Sequence, residues 1–242
     1  YEKLFGWTTT GRPSNGGTFR MLKQEDRDVA ALYRLSDEHR ANGVRPHWLS
    51  YVSVDDIAES ARRAKSLGGR IVQAPVDVGV SGKMSLIEDP EGIRFGLWEA
   101  NERIGSQIVN EPCTLCWNEL VTSDPDAAGG FYTDLFGWTG ETMEMPGGDY
   151  TMFSARGHAM GGMMEQPDGA PAHWMVYFAV EDVDDTLRTM NEHGGTLYFG
   201  PHDIEVGRLA VVSDPQGAVF SIIAMRQADE PEFPAKDAPA AA

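Results

Sequence analysis

Two polar side chains in otherwise apolar stretches are the candidates for proton chemistry. Glu119 lies in CTLCWNELVT and His173 in APAHWMVYFAV. A carboxylate beside an imidazole is an acid–base pair, able to take a proton from a substrate and return it elsewhere. The bland reading stands beside it: Glu119 pairs with an arginine or a backbone amide, and His173 is a satisfied core histidine. A third reading makes the two residues half of a metal site, although two ligands are too few without help. Arg94 is a further candidate, because a buried guanidinium needs a carboxylate from the protein or from a ligand. An internal acid is the simpler partner.

Cys113 and Cys116 form a C-x-x-C pair, which can signal zinc or redox chemistry. Here the pair falls in a strand-like run, where residues three apart point to opposite faces. No second pair completes a zinc site. Two reduced core thiols are expected, and free thiols fit a cytoplasmic setting.

Composition excludes several classes. The 242 residues carry 20 basic and 37 acidic side chains, a formal charge of −17. That field repels nucleic acid and anionic lipid. No apolar run is long enough to span a bilayer. The expected partner is a small molecule, with neither nucleic acid nor membrane.

The elements that position the candidates come from a duplication. YEKLFGW at 1–7 matches YTDLFGW at 132–138 at five of seven positions, an offset of 131. His47-Trp48 matches His173-Trp174 at 126, and Asp89-Pro90 with Gly92 matches Asp214-Pro215 with Gly217 at 125. Residues 174–223 read as strand, helix, Gly-Gly stop, strand, turn and two strands, and 48–98 repeat the grammar. Val183, Leu187 and Met190 mark one helical face, as do Ile57, Ala61, Ala64 and Leu67 in the first copy. Asp124 caps a helix running to Phe136, preceded by a strand over 114–122. The first copy lacks a counterpart of that strand, and missing leading residues are the expected reason. Short strands are expected near 19–22, 29–33, 150–154 and 159–164. The domains are therefore 1–104 and 105–226, with a mobile tail over 227–242.

These residues carry a family resemblance. "FYxxLFGW", then "W..Y..V.D" ahead of a helix ending in Gly-Gly, then "GR.AV..DPqGA.F", resemble the vicinal oxygen chelate superfamily of glyoxalases, bleomycin-resistance proteins and extradiol dioxygenases. The resemblance implies an α+β fold: two tandem domains, each built from paired βαβββ units that form a curved sheet around a cup. Most members hold a divalent metal there. The family's ligand positions fall on Trp117, Met175 and Ser221 in the second copy, and on Leu49 and Gly96 in the first. None is a metal ligand, so no cofactor is expected, with a divalent metal as the alternative. Members often dimerise through their sheets, which makes a homodimer an expectation.

From those positions, the strand period of two lists the cup faces. The second cup should carry Trp117, Glu119, His173, Met175, Tyr177, Val219, Ser221 and Ile223. The first should carry His47, Leu49, Tyr51, Arg94, Gly96 and Trp98. Glu119 and His173 are each displaced two residues from a ligand position, in the same direction along the sheet if their strands run antiparallel. His158 and His202 fall near strand ends and should be solvated. Met143, Met145, Met152, Met160, Met163 and Met164 suggest an adaptable apolar wall. The first functional reading is a metal-independent glyoxalase-like lyase or isomerase that moves a proton beside a carbonyl of a hydrophobic or aromatic metabolite. Its base would be Glu119 and its partner His173. Trp117, Met175, Tyr177, Ser221, His47, Tyr51, Arg94 and Trp98 would contact ligand. The alternatives are a drug- or metabolite-sequestering protein and a metal-dependent glyoxalase or dioxygenase.

Overall fold

A computed structural model describes residues 1–14, 17–145 and 147–226; the expected tail over 227–242 lies outside them. The first half runs α1 (Glu2–Phe5), β1 (Thr8–Ser14), β2 (Gly17–Gln24), β3 (Arg27–Tyr33), α2 (Asp37–Ala41), β4 (Tyr51–Ser53), α3 (Ile57–Ser66), β5 (Arg70–Asp77), β6 (Gly82–Glu88) and β7 (Arg94–Ala100). The second half runs β8 (Leu115–Thr122), α4 (Pro125–Phe136), β9 (Thr139–Met145), β10 (Gly148–Ala155), β11 (His158–Glu165), β12 (His173–Ala179), α5 (Val183–Glu192), β13 (Thr196–Ile204), β14 (Gly207–Ser213) and β15 (Val219–Met225).

Each long helix begins on an aspartate. The carboxylates of Asp56, Asp124 and Asp182 accept hydrogen bonds from the amides of Glu59, Ala127 and Asp185 at 2.8, 3.0 and 2.8 Å, satisfying amides that the first turn leaves free. Helix α4 adds Pro125 at its start and ends on Gly137 in the left-handed conformation at φ 68°, where glycine bears no Cβ penalty.

In the second half, two βαβββ units merge into one eight-stranded sheet, in the order β13-β14-β15-β12-β8-β11-β10-β9. Strand β8 is its joint, antiparallel to β12 and parallel to β11. The first half has two separate sheets, β1-β2-β3 and β4-β7-β6-β5. No described strand joins them as β8 does. Strand β4 begins only at Tyr51, so His47 and Leu49 do not lie on a strand as expected. Among the described residues no strand like β8 stands beside 47–49, whereas His173 at the equivalent place pairs opposite Val121 of β8. Strands β1 and β9 and the short helix α2 were not foreseen. Strand β9 is exposed along its whole length, so no burial pattern betrays it.

The halves pack back to back. One core cluster joins Ile57, Ala61, Ile87, Phe95 and Leu97 of the first half to Leu120, Phe131, Tyr132, Phe153 and Trp174 of the second. Another joins Phe5, Trp7, Leu22 and Val29 to Val176, Phe178, Met190, Val212 and Phe220. The three long helices therefore lie between the sheets, and the concave faces point outward.

The repeated residues lock this interface. Trp174 Nε1 donates to Tyr132 Oη at 2.9 Å, and Tyr132 Oη donates to Asp89 Oδ2 of the other half at 3.0 Å. Trp48 Nε1 donates to Tyr1 Oη at 2.9 Å, and Tyr1 Oη donates to Asp214 Oδ2 at 3.0 Å. Each aspartate's Oδ1 meanwhile closes its own Asp-Pro-x-Gly turn, accepting from Glu91 and Ile93 amides or from Gln216 and Ala218 amides. The most repeated motif in the chain is thus a pair of swapped Trp-Tyr-Asp relays that hold the two domains together.

Candidate functional site

Paired residues on neighbouring strands share a face, so the register maps the second cup. One cross-strand row is Met143, Tyr150, Met164, Val121 and His173. The next is Glu141, Met152, Gly162, Glu119 and Met175. The third is Phe199, Val211, Ser221, Tyr177 and Trp117. Met175, Tyr177 and Ile223 form their own apolar cluster with Trp117, Cys116, Val211 and Val219, separate from the interdomain cores. Of the methionines singled out, Met143, Met145, Met152 and Met164 lie on the cup face, while Met163 belongs to the interdomain core.

Glu119 is 8% exposed. Tyr177 Oη donates to its Oε1 at 2.6 Å, and Tyr150 Oη stands against the same carboxyl at looser geometry. No arginine, lysine or backbone amide among the described residues bonds it. Burial raises the Glu119 pKa, and the two phenols only partly offset this. The same burial and the neighbouring carboxyl push Tyr177 and Tyr150 upward, so both stay phenols at neutral pH. Ser221, fully buried, lies beside Tyr177, but its Oγ makes no hydrogen bond of good geometry.

The expected hydrogen bond between Glu119 and His173 is not made. Met175, not His173, lies opposite Glu119, and His173 lies opposite Val121, one step further along the sheet. Its Nδ1 is 2.7 Å from Pro171 O, which ties the ring to its own chain. Burial lowers its pKa, with the Pro171 carbonyl acting against the shift, so the ring is neutral; its Nε2 is buried and unpartnered. His47 repeats this geometry, with Nδ1 2.7 Å from Arg45 O. His47 is exposed, however, and does not face a finished cup.

The remaining first-half candidates are committed elsewhere. Arg94 Nη2 donates to Glu88 Oε1 at 2.8 Å, and Arg70 bonds the same carboxylate. Burial opposes the Glu88 charge, but these two bonds outweigh it and hold its pKa below the usual value. Tyr51 lies flat over Gly96, and Trp98 Nε1 donates to Arg103 O at 2.8 Å. A shallow recess of about 320 Å³ brings His47 and Arg94 together with Glu88 and Gly92; Arg94 is already bonded to Glu88, with its Nε left unpartnered. Cys113 lies toward the interdomain core and Cys116 toward the cup, but only Cys116 is on the expected strand: Cys113 precedes β8 in a turn at φ 63°. Burial pushes the Cys116 thiol up to about 12, which makes it a poor nucleophile.

The positions that the family resemblance assigns to metal ligands hold Trp117, Met175 and Ser221, and an indole, a thioether and an alcohol do not suit a hard divalent ion. Among the described residues, no three His, Cys, Asp or Glu side chains gather at one point. Sequence reasoning missed Tyr150 as a site residue. Its only signal was Gly162, a glycine within a strand, which marks a close approach.

One stability effect follows directly. A carboxyl whose pKa is raised on folding contributes stability below its unfolded pKa, and that contribution is lost as pH rises through the folded value. Glu119's contribution to resistance against urea should therefore fall as pH rises above about 4.3, the ordinary glutamate value. Glu119→Gln should remove Glu119's share, so the variant gains on the native protein as pH rises. A gap that stays constant with pH would contradict a raised pKa.

Similar proteins agree with this architecture. The Glyoxalase/Bleomycin resistance protein/Dioxygenase superfamily matches residues 1–97 and 114–222. CFP32 of Mycobacterium bovis, whose name carries the word glyoxylase, is 41% identical over 228 residues, covering 92% of this chain and 87% of its own. DauV of Streptomyces sp. strain C5, an anthracycline biosynthesis protein, is 31% identical over 242 residues, covering 94% and 88%. The 2,3-dioxygenase LapB of Pseudomonas sp. KL28 shares the fold, with TM-score 0.61 at 18% identity over 96% of this chain and 88% of that one. The chain belongs to the glyoxalase/bleomycin resistance/dioxygenase superfamily.

Proposed function

We propose that the second cup binds a flat, largely apolar metabolite carrying a carbonyl or an acidic hydroxyl, and that Glu119 moves a proton at that group without a metal ion. One observation carries this reading. Glu119 is a buried carboxyl with a raised pKa, held by phenols rather than by a cation, on an apolar cup face. Protonated, it can donate to a carbonyl oxygen. Ionised, it can take an acidic proton, with Tyr177 stabilising the charge. Perturbed carboxyls in apolar clefts are where proton transfer is expected. His173 would act as a neutral hydrogen-bonding group on the cup wall through its free Nε2, not as the partner of Glu119. An anthracycline biosynthesis protein among the relatives supports polycyclic aromatic compounds as trial ligands. Two free thiols favour the cytoplasm.

A sequestering protein is the second reading, supported by the methionine wall, which adapts to many flat shapes. Solvent deuterium exchange separates the two. An enolisable aromatic ketone such as 2-tetralone should exchange its α-protons faster with the protein than without it, and Glu119→Gln should abolish the gain. Binding without acceleration would leave sequestration.

A further inference from the structure

The second cup already holds a phenol, and it belongs to the protein. Tyr150 lies along the cup floor instead of standing away from it. Its hydroxyl accepts a hydrogen bond from Trp117 Nε1 at 2.9 Å and rests against the Glu119 carboxyl. Gly162 makes room for it: a methyl group there would stand 1.8 Å from Tyr150 Oη. Met143 and Met164 flank the tyrosine in its cross-strand row. A planar ring, one hydroxyl, one indole donor and one carboxyl therefore meet on a floor whose side chain has been deleted to admit them. The pairing of β10 with β9 and β11 runs through the backbone and needs none of this. Tyr150 is only half-buried and sits on the second strand from the sheet edge, so its side chain has solvent to swing into.

We propose that Tyr150 is an internal stand-in for the ligand. The site's ligands are flat rings bearing a phenolic or enolic hydroxyl, which takes over the contacts to Trp117 Nε1 and Glu119 as Tyr150 swings aside. The chemistry is that of a single hydroxyl between a donor and a carboxyl, with no need for a neighbouring pair of oxygens. A hydroxyl on an sp² carbon can accept from the indole, as Tyr150 does, and donate to the carboxyl it rests against. This inference rests on the reading that the second cup is the ligand site.

Displacement sets the sign of the test. Tyr150→Phe keeps the ring but removes the stand-in's polar contacts, so an incoming hydroxyl competes against less. Calorimetric titration with 2-naphthol should show roughly fivefold tighter binding to Tyr150→Phe than to the native protein, about the weight of one hydrogen bond. Trp117→Phe should weaken 2-naphthol and remove its preference over 2-methylnaphthalene. Fluorotyrosine labelling reads the same event with the phenol in place: the ¹⁹F signal of Tyr150, assigned by its loss in Tyr150→Phe, should move to a solvent-exposed position when 2-naphthol binds. Unchanged or weaker 2-naphthol binding in Tyr150→Phe overturns the inference while leaving the cup as a ligand site. If neither flat compound binds in the cup of any of these proteins, the underlying reading fails, and this inference with it.

Discussion

Glu119→Gln should lower protein-accelerated proton exchange of an enolisable aromatic ketone by roughly 10²–10⁴-fold, the usual weight of a positioned acid–base group. Ligand affinity should change far less. Glutamine keeps the shape of the side chain, and its carbonyl oxygen still accepts the bond that Tyr177 Oη makes to Glu119 Oε1 at 2.6 Å. What it loses is the ionisable proton. The effect should be large because nothing nearby can substitute. His173 lies opposite Val121, one step along the sheet from Glu119, with its Nδ1 held by Pro171 O. Tyr177 and Tyr150 are pushed away from ionisation by burial and by Glu119 itself. The substitution separates turnover from binding: a sequestering protein would keep its ligand and show no exchange to lose. The pH dependence carries a second signature. Exchange that uses ionised Glu119 as base should rise with pH through a value above the ordinary glutamate pKa, because burial raises it.

The second large effect is on stability. Tyr132→Phe removes one oxygen from a relay in which Tyr132 is 0% exposed, Asp89 4% and Trp174 9%. Asp89 Oδ2 and Trp174 Nε1 both lose their partner while buried. Each orphaned buried group costs about 1–3 kcal/mol, and more when it is charged. At roughly 2–4 °C per kcal/mol for a chain of this size, the melting temperature should fall by roughly 5–15 °C. Tyr1→Phe cuts the equivalent relay, where Tyr1, Trp48 and Asp214 are only half-buried, and should cost distinctly less. The deficit of Tyr132→Phe should also grow with pH. Burial already raises the Asp89 pKa, and the Tyr132 bond is one of the contacts that lower it. Losing that bond raises the folded pKa further, so more stability is lost as pH climbs through it. Equal melting shifts for the two variants would show that the relays do not differ in burial as described.

How much of this was legible in the sequence differs from residue to residue. The repeated Tyr, His-Trp and Asp-Pro-x-Gly marked a duplication, and the same residues turn out to form the interdomain relays. The alternation of β8 and β12 placed Trp117, Glu119, Met175 and Tyr177 on one face, and the register pairs Trp117 with Tyr177 and Glu119 with Met175. Alternation reports faces, however, and not which long side chain reaches which neighbour. Glu119 therefore met Tyr177 and Tyr150 instead of His173. The His173 ring was claimed by a carbonyl two residues away, a local contact that hydrophobic pattern does not encode. Strand β9 escaped notice because it buries neither face, and pattern reading sees strands through burial. Tyr150 escaped because its place depends on an atom that is absent, the Cβ of Gly162.

Methyl NMR of methionine-labelled protein tests the central claim most directly, that the second cup is the ligand site. The chain has 11 methionines. Met143, Met152, Met164 and Met175 face the cup, whereas Met163 and Met190 lie in the interdomain cores and Met84 lies in the first half. On titration with a hydroxyanthraquinone, the account predicts saturable shifts of the methyls of Met143, Met152, Met164 and Met175, with Met84, Met163 and Met190 unmoved. Shifts confined to Met84, or none at any cup methyl at saturating ligand, would contradict it.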